Sequence, residues 1–374
     1  MRLGLPVALL GALVLLPASA RAQGYVALRG AYYREPSTRV IQPVVEVARE
    51  SPSIGVDIGA HFLVDAITSA SVASGTAVDT VFTEVRNEVG LNAAKHWSRT
   101  DLGLGYKYSA ESDYWSHAIG GSLGRRFWGD TSRVALSFGV SFDEAGARGP
   151  ARCPAKVSPC TLNAYYGGLA YSQVISPVAL AQASYEFAYL DGFQGNLYRQ
   201  VSGLGVEKLP TRRVRNALAA RGAYYLPGLS MGFQLHARYY FDYWPGDAPS
   251  GNNPWGVQGG TIEGRLYKTL SPVLEVRLSY RQYFQSQAAF WCDTLARPDC
   301  YGAAPVFYSS DVKLGPVFTE YPEVKFLWEA RAFADTPFLT WFAAGTFEIS
   351  YGYFIQSTSY QNAHVLQLGF TMPY

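Results

Sequence analysis

Apolar and polar residues alternate with a period of two in long runs along the whole chain. One such run is "RVALSFGVSFD" (133–143). Its apolar positions are Val134, Leu136, Phe138, Val140 and Phe142. A period of two separates the side chains onto the two faces of a β-strand. The runs exceed the ~5–6 residues usual for soluble strands and reach the ~9–11 that a tilted strand needs to cross a bilayer. The pattern therefore predicts an all-β protein with membrane-spanning strands.

The pattern predicts sixteen strands and a regular sorting of the connections between them. The strands are 25–34, 39–48, 54–65, 80–94, 99–111, 114–128, 132–144, 161–175, 178–190, 214–226, 229–243, 256–269, 273–286, 323–334, 338–356 and 362–374. The even-numbered connections are short turns, whereas the odd-numbered ones include every long loop: 66–79, 145–160, 191–213, 244–255 and 287–322. Short periplasmic turns and longer external loops are typical of transmembrane barrels. Because hydrocarbon tolerates no unpaired sheet edge, we predict a transmembrane antiparallel up-and-down β-barrel of about sixteen strands over 23–374.

The first 22 residues have the composition of a secretory signal peptide. Arg2 precedes an apolar stretch over 3–16, and Ala20-Arg21-Ala22 fits the small-residue cleavage rule. No later segment approaches the ~18 consecutive apolar residues of a membrane-spanning helix. Basic and acidic residues nearly cancel, at 31 and 29, which argues against a nucleic-acid partner. We therefore predict export through a cleaved signal peptide, 1–22, to the outer membrane of a Gram-negative envelope.

The four cysteines form two close pairs, each in a proline-containing polar stretch. The pairs are Cys153 with Cys160 and Cys292 with Cys300. In an exported protein this spacing predicts two local disulfides, both in odd-numbered loops. It does not match the CxxC spacing of structural zinc sites. We predict neither a metal site nor a cofactor.

The inward face of the predicted barrel carries both signs of charge. Two interpretations remain open: a ladder of cross-strand ion pairs that stiffens the wall, or a constriction that selects polar solutes. The candidate residues are Asp57, His61, Asp65, Glu84, Arg86, Glu88, Arg238, Asp242, Glu263, Arg265, Glu275, Arg277, Arg281, Glu329 and Arg331.

One row of this set, Asp57, His61 and Asp65, has the residue types of a catalytic or metal site. Residues four apart in a strand are separated by about 13 Å, so the three cannot share one centre without help from a neighbouring strand. No GxSxG motif is present. We predict no enzyme, with an outer-membrane hydrolase as the less favoured alternative.

Two long loops allow alternative roles. Loop 191–213 and the next strand start hold five cations that suit either solvent or lipopolysaccharide phosphates. These are Arg199, Lys208, Arg212, Arg213 and Arg215. Loop 287–322 either folds into the barrel or binds a partner.

Four stretches resemble a family of bacterial outer-membrane barrels known as a domain of unknown function. They are "GAHFLVDAITSAS" (59–71), 198–227, "ARYYFDYW" (237–244) and "SYRQYFQSQAAFW" (279–291). The resemblance spans most of the chain after residue 22 and implies an outer-membrane location, without an agreed activity. It also implies an envelope redox setting.

The last residues, "QLGFTMPY", resemble the signal read by the barrel-assembly machinery. That signal has a polar residue, a glycine, a hydrophobic residue and a final aromatic residue at fixed spacing. Here these positions are Gln367, Gly369, Met372 and Tyr374. We expect Leu366, Leu368, Phe370, Met372 and Tyr374 to face lipid. Because Pro373 has no N–H, it must lie where the strand ladder ends.

Three functions follow from these features. The first is a porin-like passive channel for small polar solutes. The second is a non-conducting structural or accessory barrel that serves an envelope redox or assembly system. The third is the hydrolase. Outer-membrane lipid, lipopolysaccharide and the assembly machinery are the expected partners.

Overall fold

A computed structural model describes residues 23–69, 82–146, 153, 160–197, 199–246, 253–293, 300–301, 305–336 and 340–374. The predicted signal peptide lies outside these residues. No helix in the described ranges is long and apolar enough to span a membrane. The helical segments are four short 3₁₀ turns at Pro227–Leu229, Val312–Leu314, Ala330–Phe333 and Thr340–Phe342.

Sixteen of the eighteen strands form one closed antiparallel barrel. They are β1 (Gln23–Arg34), β2 (Thr38–Ser51), β3 (Val56–Ser69), β4 (Phe82–His96), β5 (Thr100–Ala110), β6 (Tyr114–Phe127), β7 (Ser132–Ala145), β8 (Thr161–Ser176), β9 (Ala179–Gly192), β12 (Arg212–Leu226), β13 (Met231–Tyr243), β14 (Gln258–Ser271), β15 (Leu274–Gln285), β16 (Val317–Glu329), β17 (Thr346–Gln356) and β18 (Ala363–Pro373). The remaining pair, β10 (Gln200–Val201) and β11 (Gly205–Val206), makes a small hairpin in a loop.

Each barrel strand pairs with its neighbours in the chain, and β1 pairs with β18 to close the barrel. The predicted fold and strand number are therefore confirmed. The start of β1 and the end of β18 lie at one end of the barrel together with the even-numbered connections, and we call this the short-turn end. The opposite end, which carries the odd-numbered connections, is the long-loop end.

The period-two pattern sorts apolar side chains to the outside of the barrel. Large residues there are about half exposed, for example Leu28 at 51%, Leu136 at 49% and Leu368 at 53%. A soluble protein rarely leaves so much contiguous apolar surface in water, whereas a bilayer covers it. On β18, Leu366, Leu368 and Tyr374 are exposed, as the sequence predicts.

Two strands differ from the sequence prediction by more than four residues at a boundary. The predicted strand 323–334 is β16, Val317–Glu329, and the predicted strand 338–356 is β17, Thr346–Gln356. The apolar residues between them form 3₁₀ turns whose rings pack on strand residues: Phe333 lies 5.2 Å from Trp328 and Phe342 lies 5.5 Å from Phe370, centroid to centroid. Connection 330–345 is therefore a long one at the short-turn end and an exception to the predicted sorting.

Pro373 occupies a position where no backbone donor is needed. Tyr374 exchanges both backbone hydrogen bonds with Gly24 on β1, at 2.9 and 3.0 Å. Adjacent strand residues point their N–H groups to opposite sides, so the Pro373 nitrogen faces the β17 side. Strand β17 begins at Thr346, opposite Thr371, and does not reach Pro373. The expected location at the end of the ladder is confirmed.

Candidate functional site

The inward row on β3 is divided among three partners on β4. The register places β3 and β4 side by side over their whole lengths, so each row residue meets a different neighbour. His96 contacts Asp57 (Nε2 to Oδ2, 2.8 Å), Glu88 contacts His61 (3.2 Å), and Arg86 contacts Asp65. The row is therefore not gathered into one catalytic or metal centre.

Most of the other predicted inward charges also have partners on the barrel wall. The ion pairs are Arg238 with Glu186 (3.3 Å), Arg213 with Asp242 (Nε to Oδ2, 2.8 Å), Arg265 with Glu263 (2.6 Å) and Arg277 with Glu323 (3.1 Å). Glu84 accepts a hydrogen bond from Ser112 Oγ (2.9 Å), and the Arg281 guanidinium lies 5.3 Å from the Tyr321 ring centroid. Glu275 lies opposite Leu327 on the inward parity of β15.

Arg331 is the exception among these charges. It lies in the 3₁₀ turn after β16, where it pairs with Glu329 at 2.7 Å, and both side chains are more than half exposed. Its predicted place on the inner wall is wrong, because the strand ends before it.

Sequence patterns missed a further inward network across the β1–β18 seam. Arg29 on β1 contacts Glu46 at 3.0 Å and Glu348 at 3.4 Å, and Glu348 also pairs with Lys325. These residues and His61 line a cavity of about 540 Å³. Alternate residues of each strand face the lumen, and this rule would have identified these charges as inward-facing. Which charges pair, however, depends on the register between strands far apart in the chain.

Carboxyl groups converge on one side of the lumen at the long-loop end. Oxygen atoms of Glu84, Glu111 and Asp113 lie within 4.8 Å of one another, the one such donor group within the described ranges. Burial, reinforced by the charge of Glu84, raises the pKa of Glu111 to about 7. With Asp143 they line a cavity of about 410 Å³, here called the acidic cavity. Oxygen donors of this kind suit hard cations such as Ca²⁺ or Mg²⁺.

Cations converge on another part of the wall at the same end. A cavity of about 730 Å³, here called the basic cavity, is lined by strands β7–β9, β12, β13 and β15 and by two long loops. Its cationic lining residues are Arg213, Arg215, Arg238 and Lys313, and its carboxylate is Glu186. The charges at this end of the lumen, here called the mouth, are therefore segregated. The acids lie on β4, on β7 and in the β5–β6 turn, and the bases lie on β12, on β13 and in a long loop.

A buried ion pair links the barrel wall to the loops over the basic cavity. Asp242 accepts two hydrogen bonds from Arg213, one from the Tyr240 hydroxyl (2.9 Å) and one from the Val257 backbone N–H (2.8 Å). The Arg213 guanidinium also lies 3.9 Å from the centroid of the fully buried Trp255 ring. One carboxylate therefore orients both an arginine of the wall and the end of the loop before β14.

The described parts of loops 193–211, 244–257 and 286–316 pack together, and we call them the lid. Its core is a buried apolar cluster of Trp255, Val257, Ala288, Phe290 and Leu314. Because Lys313 and Leu314 also line the basic cavity, the last loop lies over the lumen. The described end of loop 287–322 therefore folds towards the barrel, as one of the two alternatives predicts. The two predicted disulfides, Cys153–Cys160 and Cys292–Cys300, are present, the second of them within the lid.

Polar contacts join the first and last segments of the lid. Glu207 accepts hydrogen bonds from Ser309 Oγ at 2.5 Å and from the Asn196 N–H at 2.6 Å. Arg199 pairs with Asp311 at 3.5 Å, and the backbones of Lys208 and Tyr308 form a two-way bridge. Burial raises the pKa of Glu207 to about 7.

These contacts limit the predicted interaction with lipopolysaccharide. Arg199 and Arg213 are 3% and 7% exposed, so neither is available to lipid phosphates. Arg215 points into the basic cavity, which leaves Lys208 and Arg212 as the candidates of that set.

The closed sixteen-stranded barrel with an apolar outside and a charged inside defines an outer-membrane β-barrel protein. Residues 63–331 match a family described as "Protein of unknown function (DUF3570)", and the chain belongs to this family. A search of curated proteins finds no match.

Solved structures with a similar fold include "Bacterial polysaccharide outer membrane secretin", with a TM-score of 0.51, 10% identity, and coverage of 96% of this chain and 99% of that one. "CdiB from Acinetobacter baumannii" gives 0.52 at 8% identity, covering 96% and 61%. OccD3 (OpdP) of Pseudomonas aeruginosa gives 0.46 at 12% identity, covering 95% and 91%. At these identities the first two show a common fold and nothing about the solute.

Proposed function

We propose that this protein is a porin-like passive channel for small polar solutes in the bacterial outer membrane. The short-turn end would face the periplasm and the lid would face the outside, since external loops of such barrels are the long ones. Export would use the predicted signal peptide, 1–22. The proposal includes no catalytic step, because the row that suggested one is split among separate partners.

The segregation of charge at the mouth is the observation that carries this proposal. Glu84, Glu111, Asp113 and Asp143 lie on one part of the wall, and the cations of the basic cavity lie on another. A stiffening ladder needs alternating signs, and it has no use for two separated groups of like charge. Opposed groups instead create a field across the lumen that orients a polar solute and replaces part of its hydration.

The size of the barrel agrees with this function. Barrels of about 16–18 strands are wide enough to hold an aqueous channel. The ion pairs deeper in the wall, such as Arg277 with Glu323, keep the lumen polar without adding net charge there. Selection would therefore be made mainly at the mouth, next to the lid.

Conductance of the refolded barrel in a planar bilayer tests the proposal. We expect a stable current whose ion selectivity shifts one way for Asp113→Asn with Asp143→Asn and the opposite way for Arg215→Gln with Arg238→Gln. The two double variants are matched controls for each other, because both neutralise two charges at the same end. Inserted protein that carries no current would overturn the channel and favour the accessory barrel. Equal selectivity in all forms would overturn the role given to the mouth.

A further inference from the structure

Arg215 differs from the other arginines that line the basic cavity. Arg213 and Arg238 each have a carboxylate partner, Asp242 and Glu186. Within the described part of the chain, the Arg215 guanidinium makes neither a hydrogen bond nor an ion pair, and its Nε is buried without a partner. Arginine keeps its charge at all relevant pH values, and a desolvated, unpaired donor is costly. The position therefore calls for an anion.

The carboxylates near Arg215 are already engaged. Asp242 accepts from Arg213, from Tyr240 and from the backbone at Val257, which uses both of its oxygens. Glu186 contacts Arg238. Neither makes a hydrogen bond to Arg215, so its donors can take an anion that enters from the lumen.

The rest of the basic cavity agrees with an anionic occupant. Lys313 of the lid also lines this cavity, and its ammonium makes no ion pair with any described residue. The lining residues hold four cations and one carboxylate, and with Asp242, which pairs with Arg213, the net charge is +2. Charged residues from three separate elements, β12, β13 and the lid, line the same space.

The other lining residues indicate the chemical class of the occupant. Tyr166, Tyr240 and Tyr283 present rings to the cavity, and Leu314 and Val257 add apolar surface. A volume of about 730 Å³ is far more than a bare inorganic anion requires, and it lies in the range of pockets for small organic ligands. Aromatic walls with a few charged groups suit a planar organic body that carries a charged group.

We propose that the basic cavity binds a small organic carboxylate, with its carboxylate held by Arg215 and by Lys313. The planar fork of Arg215 matches a carboxylate with two parallel hydrogen bonds, and Lys313 adds a second charge from the lid. This deepens the proposed function, since such an anion would be the preferred solute. Binding itself does not require that the barrel conducts.

Calorimetric titration of the refolded barrel in detergent tests the site, with benzoate as the probe and benzamide as its neutral counterpart. We expect saturable binding of benzoate and none of benzamide. Arg215→Gln should weaken binding about tenfold to a hundredfold, since it removes a charged hydrogen-bonding group. Lys313→Gln, in the lid and away from the wall, should weaken it in the same direction and guards against a folding defect.

Arg221→Gln is the matched control. Arg221 lies on the same strand as Arg215 and also faces the lumen. It contacts Gln234 at 3.0 Å and lines a different cavity. Its substitution should leave benzoate binding unchanged. Absence of benzoate binding, equal binding of benzamide, or an equal loss in Arg221→Gln would overturn the site. Inorganic phosphate that binds as tightly as benzoate would overturn the organic carboxylate as occupant. Conductance of the same preparation separates the two proposals: benzoate binding without current overturns only the channel, and current without benzoate binding overturns only the site.

Discussion

Asp242→Asn tests whether the ion pair behind Trp255 holds the lid on the barrel. The Asp242 side chain is fully buried and that of Arg213 is 9% exposed. The substitution keeps the shape of the side chain and removes its charge. Arg213 then remains buried, beside the amide of Asn, without its anion.

The structure sets the size of the expected effect. Breaking a buried ion pair by removing one partner costs about 3–5 kcal/mol, because the remaining charge stays desolvated. Four hydrogen bonds converge on Asp242, two of them from Arg213, so we expect the upper half of this range. The Arg238–Glu186 pair offers a contrast, with side chains 34% and 61% exposed. Its loss in Glu186→Gln should cost about 0.2–1 kcal/mol.

Urea unfolding of the barrel in lipid vesicles, followed by tryptophan fluorescence, measures both changes in the free energy of unfolding. Hydrogen exchange at 253–257 shows whether the lid loosens, because the Val257 N–H bonds to Asp242. A further variant, Arg213→Met with Asp242→Asn, removes the stranded charge. It should be more stable than Asp242→Asn alone.

Two results would refute this reasoning. One is a loss in Asp242→Asn no larger than that in Glu186→Gln, since burial would then make no difference. The other concerns the double variant Arg213→Met with Asp242→Asn. If its loss of stability equals the sum of the losses in Arg213→Met alone and Asp242→Asn alone, no charge was left unpaired by the single substitution.

Three further predictions concern other parts of the molecule. Because the folded pKa of Glu207, about 7, lies above its ordinary 4.5, its protonation stabilises the lid at low pH, by at most about 3 kcal/mol, and this is lost as the pH rises through 7. The protection factors of the lid, which are exchange rates corrected for the intrinsic rate at each pH, should fall between pH 4.5 and 7, and a profile that stays unchanged in Glu207→Gln would count against the assignment. A Cβ at Gly90 would meet His61 Cε1 at 2.0 Å, so Gly90→Ala should lower urea stability by about 1–3 kcal/mol, whereas Gly105→Ala, with its nearest atom at 3.6 Å, should be neutral. Deleting Tyr374 removes two backbone hydrogen bonds across the closing seam and should reduce the heat-modifiable barrel in membranes; normal levels would contradict this.

The fold could be predicted because lipid outside and polar contents inside impose the same alternation on every strand. The prediction was wrong at β16 and β17, where the apolar run "TPFLTWFA" (336–343) has a composition that suits either a strand or a turn packed on the wall. Periodicity over so short a run does not distinguish these two cases. In the structure the Thr340–Phe342 turn packs on the wall through contact between Phe342 and Phe370, and a contact between residues so far apart in the chain is not visible in a local pattern.

The charged site was predicted as a set of inward residues, and its pairing was not. Inward parity identifies Arg238 and Asp242, but their partners are set by register and by loops distant in sequence. Glu207 and Ser309 are 102 residues apart and meet only when the lid is folded. For the same reason Arg213, which the sequence places at the end of a basic loop open to solvent or lipid, proved to be buried.

Pro373 has a consequence for association between molecules. At the short-turn end, β18 extends past the first residue of β17, so a short stretch of its backbone faces away from β1 without a partner strand. An unpaired strand edge of this kind invites a strand from another chain to add to it. A proline there offers no N–H to an incoming strand, so the overhang is protected against edge-to-edge aggregation by the residue that is least suited to a ladder.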